Sequence, residues 1–274
     1  MRKIQEHEQD FRLIFQNSLN IKDQEQIFEY IINHSNLPGR RANLEMAFAF
    51  GNVIIELPKR FDHFLWSLLN NLIRISDQDA PTNNPREFLT FCGTIGLGSF
   101  IFRNENLQDE IIAKLKILAS DSRWRVREAV AMALWRMIKS NPHKILEELK
   151  VWINIQNWLE IRALAAGLAE PNLLRDKNLA EKALDIYKQI FKTISKADHI
   201  ERISESFKIM KKGLGYSLSV IVKEIPGIGF NYMEKLAKAD DNDINWILKE
   251  NLKKNRLLKN FPQNTSYIRK LIQD

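Results

Sequence analysis

The chain has 274 residues, of which 45% are hydrophobic, with only ten glycines and eight prolines; this excludes a disordered or fibrous polypeptide and favours a helix-rich fold. A single cysteine, Cys92, excludes an internal disulfide and a cluster of thiolate ligands, so a reducing compartment is expected. The start, MRKIQEHEQDF, lacks the apolar stretch of a leader, and no run reaches the roughly 18 apolar residues of a membrane span, so a soluble cytoplasmic monomer with no membrane partner is expected. The net charge of +7 is uneven: residues 1–119 carry 13 Lys+Arg against 15 Asp+Glu, and residues 120–274 carry 28 against 19. Such asymmetry suits either a polyanionic partner or plain solubility.

From the N-terminus, residues 10–32 offer two short amphipathic helices, FRLIFQNSL and QEQIFEYII, around a turn-like stretch at residues 20–23. They read as an N-terminal cap over residues 1–36. After Leu37-Pro38-Gly39, a helix stop, RRANLEMAFAFGNVII places Leu44, Ala47, Phe48 and Gly51 on one stripe, and Pro58 ends it. Residues 61–75 form its partner. The polar stretch 76–85 is a loop, its two prolines and lone apolar Ala80 giving no periodic face. Helices are then expected over 86–102, carrying Phe88, Phe91, Cys92 and Ile95, and over 107–119.

The most informative stretch is 120–174. Val126, Ala129, Val130, Ala133 and Leu134 have the i, i+3, i+4, i+7, i+8 spacing of one helix face, and Ile161, Leu164, Ala165, Leu168 and Ala169 repeat it. Between the copies, residues 143–153 hold Ile145, Leu149 and Trp152 in phase. Further on, residues 179–194 are helical and a stripe runs Ile203, Phe207, Met210, Leu214. Its partner is either 216–222 or 230–237, because Pro226 and the glycines 227 and 229 force a break, and Lys212-Gly213-Leu214-Gly215-Tyr216-Ser217 reads as a glycine-relaxed turn that ends a helix and not as a phosphate loop. A last unit has Ile244, Ile247, Leu248 and Leu252 behind the acidic run 240–243, which suits a helix N-terminus. The tail from 261 to 274 is short and polar.

First stripe residues Leu44, Phe88, Val126, Ile161, Ile203 and Ile244 are separated by 44, 38, 35, 42 and 41 residues. That range matches helical-hairpin repeats of about 40–47 residues better than tetratricopeptide units. The expected fold is all-α, a right-handed α-α superhelix of about six HEAT-like or armadillo-type repeats over 37–260, in one domain spanning 1–274.

Asp121, Val126, Arg127, Ala129, Ala133 and Leu134 carry a resemblance to HEAT repeats, in which an Asp and the Arg a turn later form a ladder along the array. The first copy has both; the second has Gln156 and Arg162, and the last has Asn245 where the Arg would stand. As a basic array of divergent units, the chain is similar to the bacterial DNA alkylation repair family, whose members cradle duplex DNA. Alkylpurine glycosylases of that family carry N-W-D-x-V-D, with a catalytic final Asp. The matching stretch, Asn157-Trp158-Leu159-Glu160-Ile161-Arg162, replaces both aspartates, and an Arg cannot stabilise the cationic sugar of a breaking glycosidic bond. Loss of that chemistry is the implication, with Glu160 the one candidate for a displaced carboxylate.

Beside the buried stripe, one helix strip carries Arg127, Arg162, Lys208 with Lys211, and Lys249 with Arg256. Together with Arg123, Lys212, Lys253 and the ring of Trp158 these are the candidate nucleic-acid contacts, giving affinity through phosphates without base readout. The other reading assigns Arg127 and Arg162 to the ladder and the lysines to a solvated face. Trp124, Trp158 and Trp246 lie near second-helix starts, where a ring either stacks on a partner or staples the chain entry. Five scattered histidines give no zinc spacing, and no phosphate-binding glycine loop occurs, so no metal and no cofactor are expected. The expected function is non-catalytic binding of duplex DNA. A scaffold holding a protein or peptide in its groove, and a glycosylase using Glu160, are the alternatives.

Overall fold

In the computed structural model, which describes residues 2–17, 24–154 and 157–273, all regular structure is helical. The turn expected at 20–23 and Gln156 of the ladder lie outside the described residues. Contacts divide the chain into two compact units, Met1–Ser140 and Asn141–Asp274.

The first unit comprises α1 (Arg2–Asn17), α2 (Gln24–Asn33), α3 (Leu44–Glu56), α4 (Asp62–Ile73), α5 (Glu87–Phe100), α6 (Gln108–Ala119) and α7 (Trp124–Ser140). Helices α1, α3, α5 and α7 lie side by side and run the same way. Asn43 and Asn52 of the α3 region meet His7 and Glu8 of α1, and Arg12 pairs with Glu56 at 2.6 Å. At the other end of the row, Arg125 reaches Glu87, while Arg136 reaches Ser99 and Asn52. These polar contacts explain why α1 starts at Arg2 and not near residue 10: its hydrophilic first turns bind α3 while Phe11 and Phe15 enter the core.

Every residue of α5 is buried, so it has no single apolar stripe. Its glycines set the packing distance. A Cβ on Gly98 would lie 2.5 Å from the Ala133 backbone of α7, and one on Gly96 would lie 2.3 Å from Leu69 of α4. In α3 the buried set is Met46, Ala47, Ala49, Phe50, Gly51, Val53 and Ile54; Leu44 and Phe48, expected on the stripe, are half-buried.

The second unit comprises α8 (Pro142–Leu149), α9 (Val151–Asn154), α10 (Trp158–Leu168), α11 (Pro171–Leu174), α12 (Lys177–Lys196), α13 (His199–Ile203), α14 (Glu205–Glu224), α15 (Pro226–Ala237), α16 (Asn242–Leu252), α17 (Asn255–Leu258) and α18 (Pro262–Gln273). Here α10, α14 and α16 form a parallel row with α14 in the middle. Trp158 and Arg162 of α10 meet Phe207 and Gly213 of α14, and Lys211 and Gly215 of α14 meet Asp243 and Trp246 of α16.

Three expectations are corrected in this unit. The segment 212–217 does not end a helix; it lies inside α14, and 216–222 continues that helix, so α15 is the partner. Neighbours come close to both glycines inside the helix: a Cβ at Gly215 would lie 3.1 Å from Trp246 and Glu250, and one at Gly213 3.2 Å from Arg162. Ile203 is 53% exposed on the short α13, so the fifth stripe begins at Phe207. The polar tail is the helix α18, which buries Thr265, Ile268 and Ile272 at i, i+3 and i+7.

Candidate nucleic-acid interface

The three helices of the second unit's parallel row begin in the same way, with a side chain accepting from the first free amides. Asn157 caps α10 through the amides of Leu159 and Glu160, Ser204 caps α14 through that of Phe207, and Asp241 caps α16 through those of Asp243 and Ile244. Arg202 ties the start of α16 to the end of α12: its guanidinium binds Asp241 at 2.7 Å and Asp243 at 2.9 Å while donating to the Ile194 carbonyl. Hydrogen bonding to Asp241 holds Arg202 more firmly protonated than an ordinary Arg. Burial pushes the Asp241 carboxyl up, but Arg202 and the two helix amides outweigh it and leave its pKa lowered.

Farther along, Asn251 of α16 is fully buried against α14, accepting from the Ser219 amide at 2.7 Å and donating to the Leu214 carbonyl at 2.8 Å. With Gly215 against Trp246, this bond fixes how α14 lies along α16. Both helices also carry exposed cations. On α14, Lys208, Lys212 and Tyr216 follow at i, i+4 and i+8; Lys249 lies on α16 and Lys253 caps its C-terminal end. All five are exposed. Lys208, Lys212 and Lys249 have no ion pair among the described residues, whereas Lys253 pairs with Glu250 of the last turn of α16.

The other candidates sort by what holds them. Arg256 lies 4.5 Å over the Tyr216 ring and donates to its hydroxyl, with Lys254 5.6 Å from the same ring. Lys211 is bound to Asp243 at 2.8 Å above the ring of Trp246, so its charge is answered within the protein. Arg162 is half-buried with its stem beside Gly213. Tyr216 was passed over in the sequence. Its signal was there, an aromatic one turn after Lys212 on the same strip.

Two candidates are corrected outright. Arg123 is 2% exposed, too deep to meet a phosphate. Its guanidinium embraces Asp121 with bonds of 2.9 and 2.8 Å and donates to the carbonyls of Ile75 and Ala80, which pins the loop 76–85. Trp158 is 4% exposed and packs edge-on against Phe207, with centroids 4.9 Å apart, so it cannot stack on a base. Trp124 and Trp246 are the exposed indoles of the three.

The Asp/Arg ladder takes another form too. Because Arg123 occupies the Asp121 carboxylate, Arg127 donates to the backbone carbonyls of Asp121 and Ser122, at 2.6 and 2.8 Å. Arg127 belongs to the first unit, and the basic strips above belong to the second. Glu160 is 5% exposed and accepts from Asn157 at 3.0 Å; the carboxylate proposed for glycosylase chemistry lies beneath the surface as part of the α10 cap.

Among the described residues, no group of three or more His, Cys, Asp or Glu is placed to hold a metal ion, and no helix is long and apolar enough to cross a membrane. What the fold and the site define is an all-helical protein with an exposed cationic face on its second unit. Comparison with known family models, with curated proteins and with solved structures finds no match.

Proposed function

We propose that this chain is a helical-repeat binding protein of the HEAT-like type, whose second unit binds duplex DNA through its phosphates. The observation that carries the reading is the exposure of Lys208 and Lys212 on α14 and Lys249 on α16, none of which has an ion pair among the described residues. Lysines held this way gain more from a polyanion than from solvent, because binding releases condensed counterions. The aromatic rings favour the duplex over a single strand. Tyr216 is occupied by the Arg256 guanidinium and Trp246 by the Lys211 ammonium, so these rings hold cations and are not free platforms for bases.

The solenoid reading is supported by the parallel rows, α1, α3, α5 and α7 in one unit and α10, α14 and α16 in the other, each helix separated from the next in its row by intervening chain. Stacked helical hairpins place equivalent helices this way.

A salt titration of a short fluorescent duplex tests the function. Log affinity is expected to fall linearly with log salt, by about 0.9 for each phosphate neutralised, and Lys208→Ala/Lys212→Ala/Lys249→Ala should flatten the slope by about 2.7. A salt-independent signal, no binding at low salt, or an unchanged slope in the triple variant would remove the phosphate reading and leave the peptide-binding scaffold.

A further inference from the structure

The first unit holds a cavity of about 240 Å³ that the basic face does not use, lined by Arg40, Arg41, Ala42, Leu44, Phe91, Trp124, Arg125, Glu128 and Met132. Its walls are mostly apolar and its charged groups are unequally satisfied. Arg125 is 5% exposed; its guanidinium lies 4.5 Å over the Trp124 ring and is answered by the fully buried Glu87 at 3.1 Å. Arg41 is 3.6 Å from Glu45. Arg40 is exposed and has no ion pair among the described residues.

Three further facts bear on what such a cavity takes. Trp124 is 46% exposed, an unusual state for an indole at the edge of an apolar pocket. Its position is fixed from below, because Arg125 is anchored not only by Glu87 but by the Gly39 carbonyl at 2.8 Å. The size suits one ring or two fused rings, since a dry cavity of about 150 Å³ already accepts benzene. With Arg125 answered by Glu87 and Arg41 beside Glu45, Arg40 is the guanidinium at the rim without an ion pair among the described residues, and a guanidinium fork matches a carboxylate in shape.

We propose that this cavity binds a small aromatic carboxylate, with its ring against Trp124, Phe91 and Met132 and its charge on Arg40 and Arg41. The ligand replaces water on an exposed indole and supplies the counter-charge that Arg40 lacks. The site is separate from the basic strips of the second unit, and the inference does not depend on the DNA-binding reading.

Calorimetric titration of the full chain with 1-naphthoate tests it, with 1-naphthalenemethanol and 1-naphthylmethylammonium as the neutral and cationic counterparts. Saturable binding of naphthoate at one site is expected, weakened about tenfold or more by Arg40→Gln/Arg41→Gln and likewise by Trp124→Ala. Both arginines are exposed, so the double variant is expected to fold; an unchanged melting temperature would confirm it. The Lys208→Ala/Lys212→Ala/Lys249→Ala variant should bind naphthoate as the natural chain does. The proposal is overturned by any of four results: no saturable heat at millimolar naphthoate, equal or tighter binding of the neutral or cationic ring, indifference to the arginine and tryptophan changes, or loss of binding in the lysine variant.

Discussion

The arginines of the first unit and the lysines of the second are drawn from the same positive charge, yet they do opposite work. Arg103, Arg123, Arg125 and Arg136 are all buried. Arg103 fills the end of α3, donating to the Ile54 carbonyl at 2.9 Å and to those of Leu57 and Pro58, with Asp62 beside it; Arg123 holds the loop 76–85. Arg136 has no carboxylate within ion-pair distance among the described residues; it donates to Asn52, Ser99 and the Phe48 carbonyl and lies against the rings of Phe48 and Trp135, and burial pushes its pKa down to about 10. In the second unit Lys208 and Lys212 of α14 and Lys249 of α16 stay in water. A planar group with five donors can satisfy several carbonyls at once, so Arg is tolerated inside as a backbone clamp, whereas an ammonium stays outside. The lesson is that net charge by region says where cations are, not which of them a partner can touch.

The comparison breaks if a buried arginine turns out dispensable. Arg103→Ala leaves the α3 carbonyls and Asp62 without their donor, and a loss of about 3–5 kcal/mol of stability is expected in a denaturant titration. Lys249→Ala, by contrast, should change stability by less than about 0.5 kcal/mol. A small effect of Arg103→Ala would mean that the clamp is ornamental. Next in size is Gly98→Ala. Its Cβ would meet the Ala133 backbone, which has no flexible end to move, so α5 and α7 must separate at a cost of about 1–3 kcal/mol. A melting temperature at or above that of the natural chain would show that the two helices are not so closely packed.

Much of this was legible in advance, for identifiable reasons. The helix start at Asp241 was readable because capping is local chemistry, and the stripes at 126–134 and 161–169 because a half-buried helix repeats its apolar face. What escaped reading depended on distant partners. The α14 glycines look like a helix end unless Trp246 and Arg162 are known to press on them. Nothing in the order Asp121-Ser122-Arg123 says that Arg123 folds back on the Asp and leaves Arg127 to the carbonyls. Tyr216 reads as an ordinary exposed aromatic until Arg256, forty residues later, lies over it.

A sharper form of the comparison asks whether the second unit has any structural ion cluster of its own, and Arg202 with Asp241 and Asp243 is the candidate. Asp241→Ala removes both the α16 cap and the partner of Arg202, and should cost about 1–2 kcal/mol. Its acid dependence is a separate signature. The folded-state pKa of Asp241 is lowered, so its contribution is present above the ordinary carboxylate range near pH 4 and is lost as pH falls through the lowered value. Asp241→Asn should therefore flatten the stability profile on the acid side. Equal acid sensitivity in both proteins would assign that sensitivity to other carboxylates.

The smallest effect concerns the edge of the first unit, where a histidine stands in for the arginine clamps. His7 lies 2.7 Å from the Tyr30 hydroxyl and 3.2 Å from the Asn43 amide nitrogen. Burial, and next to it the nearby His34, lower its pKa against the opposing pull of Asp10, Glu6 and Glu45. A base whose folded pKa is lowered binds fewer protons folded than unfolded. Its penalty is absent above the ordinary histidine value near 6.5 and grows as pH falls from there to the lowered value. Hydrogen exchange in α1 and α3 should accordingly be faster at pH 5 than the intrinsic rate change allows, and His7→Gln, which keeps a polar partner for Tyr30 but cannot take a proton, should abolish that excess. If the excess survives the substitution, protonation of His7 is not what loosens α1 from α3, and the clamps of this unit are indifferent to pH across the range in which histidine titrates.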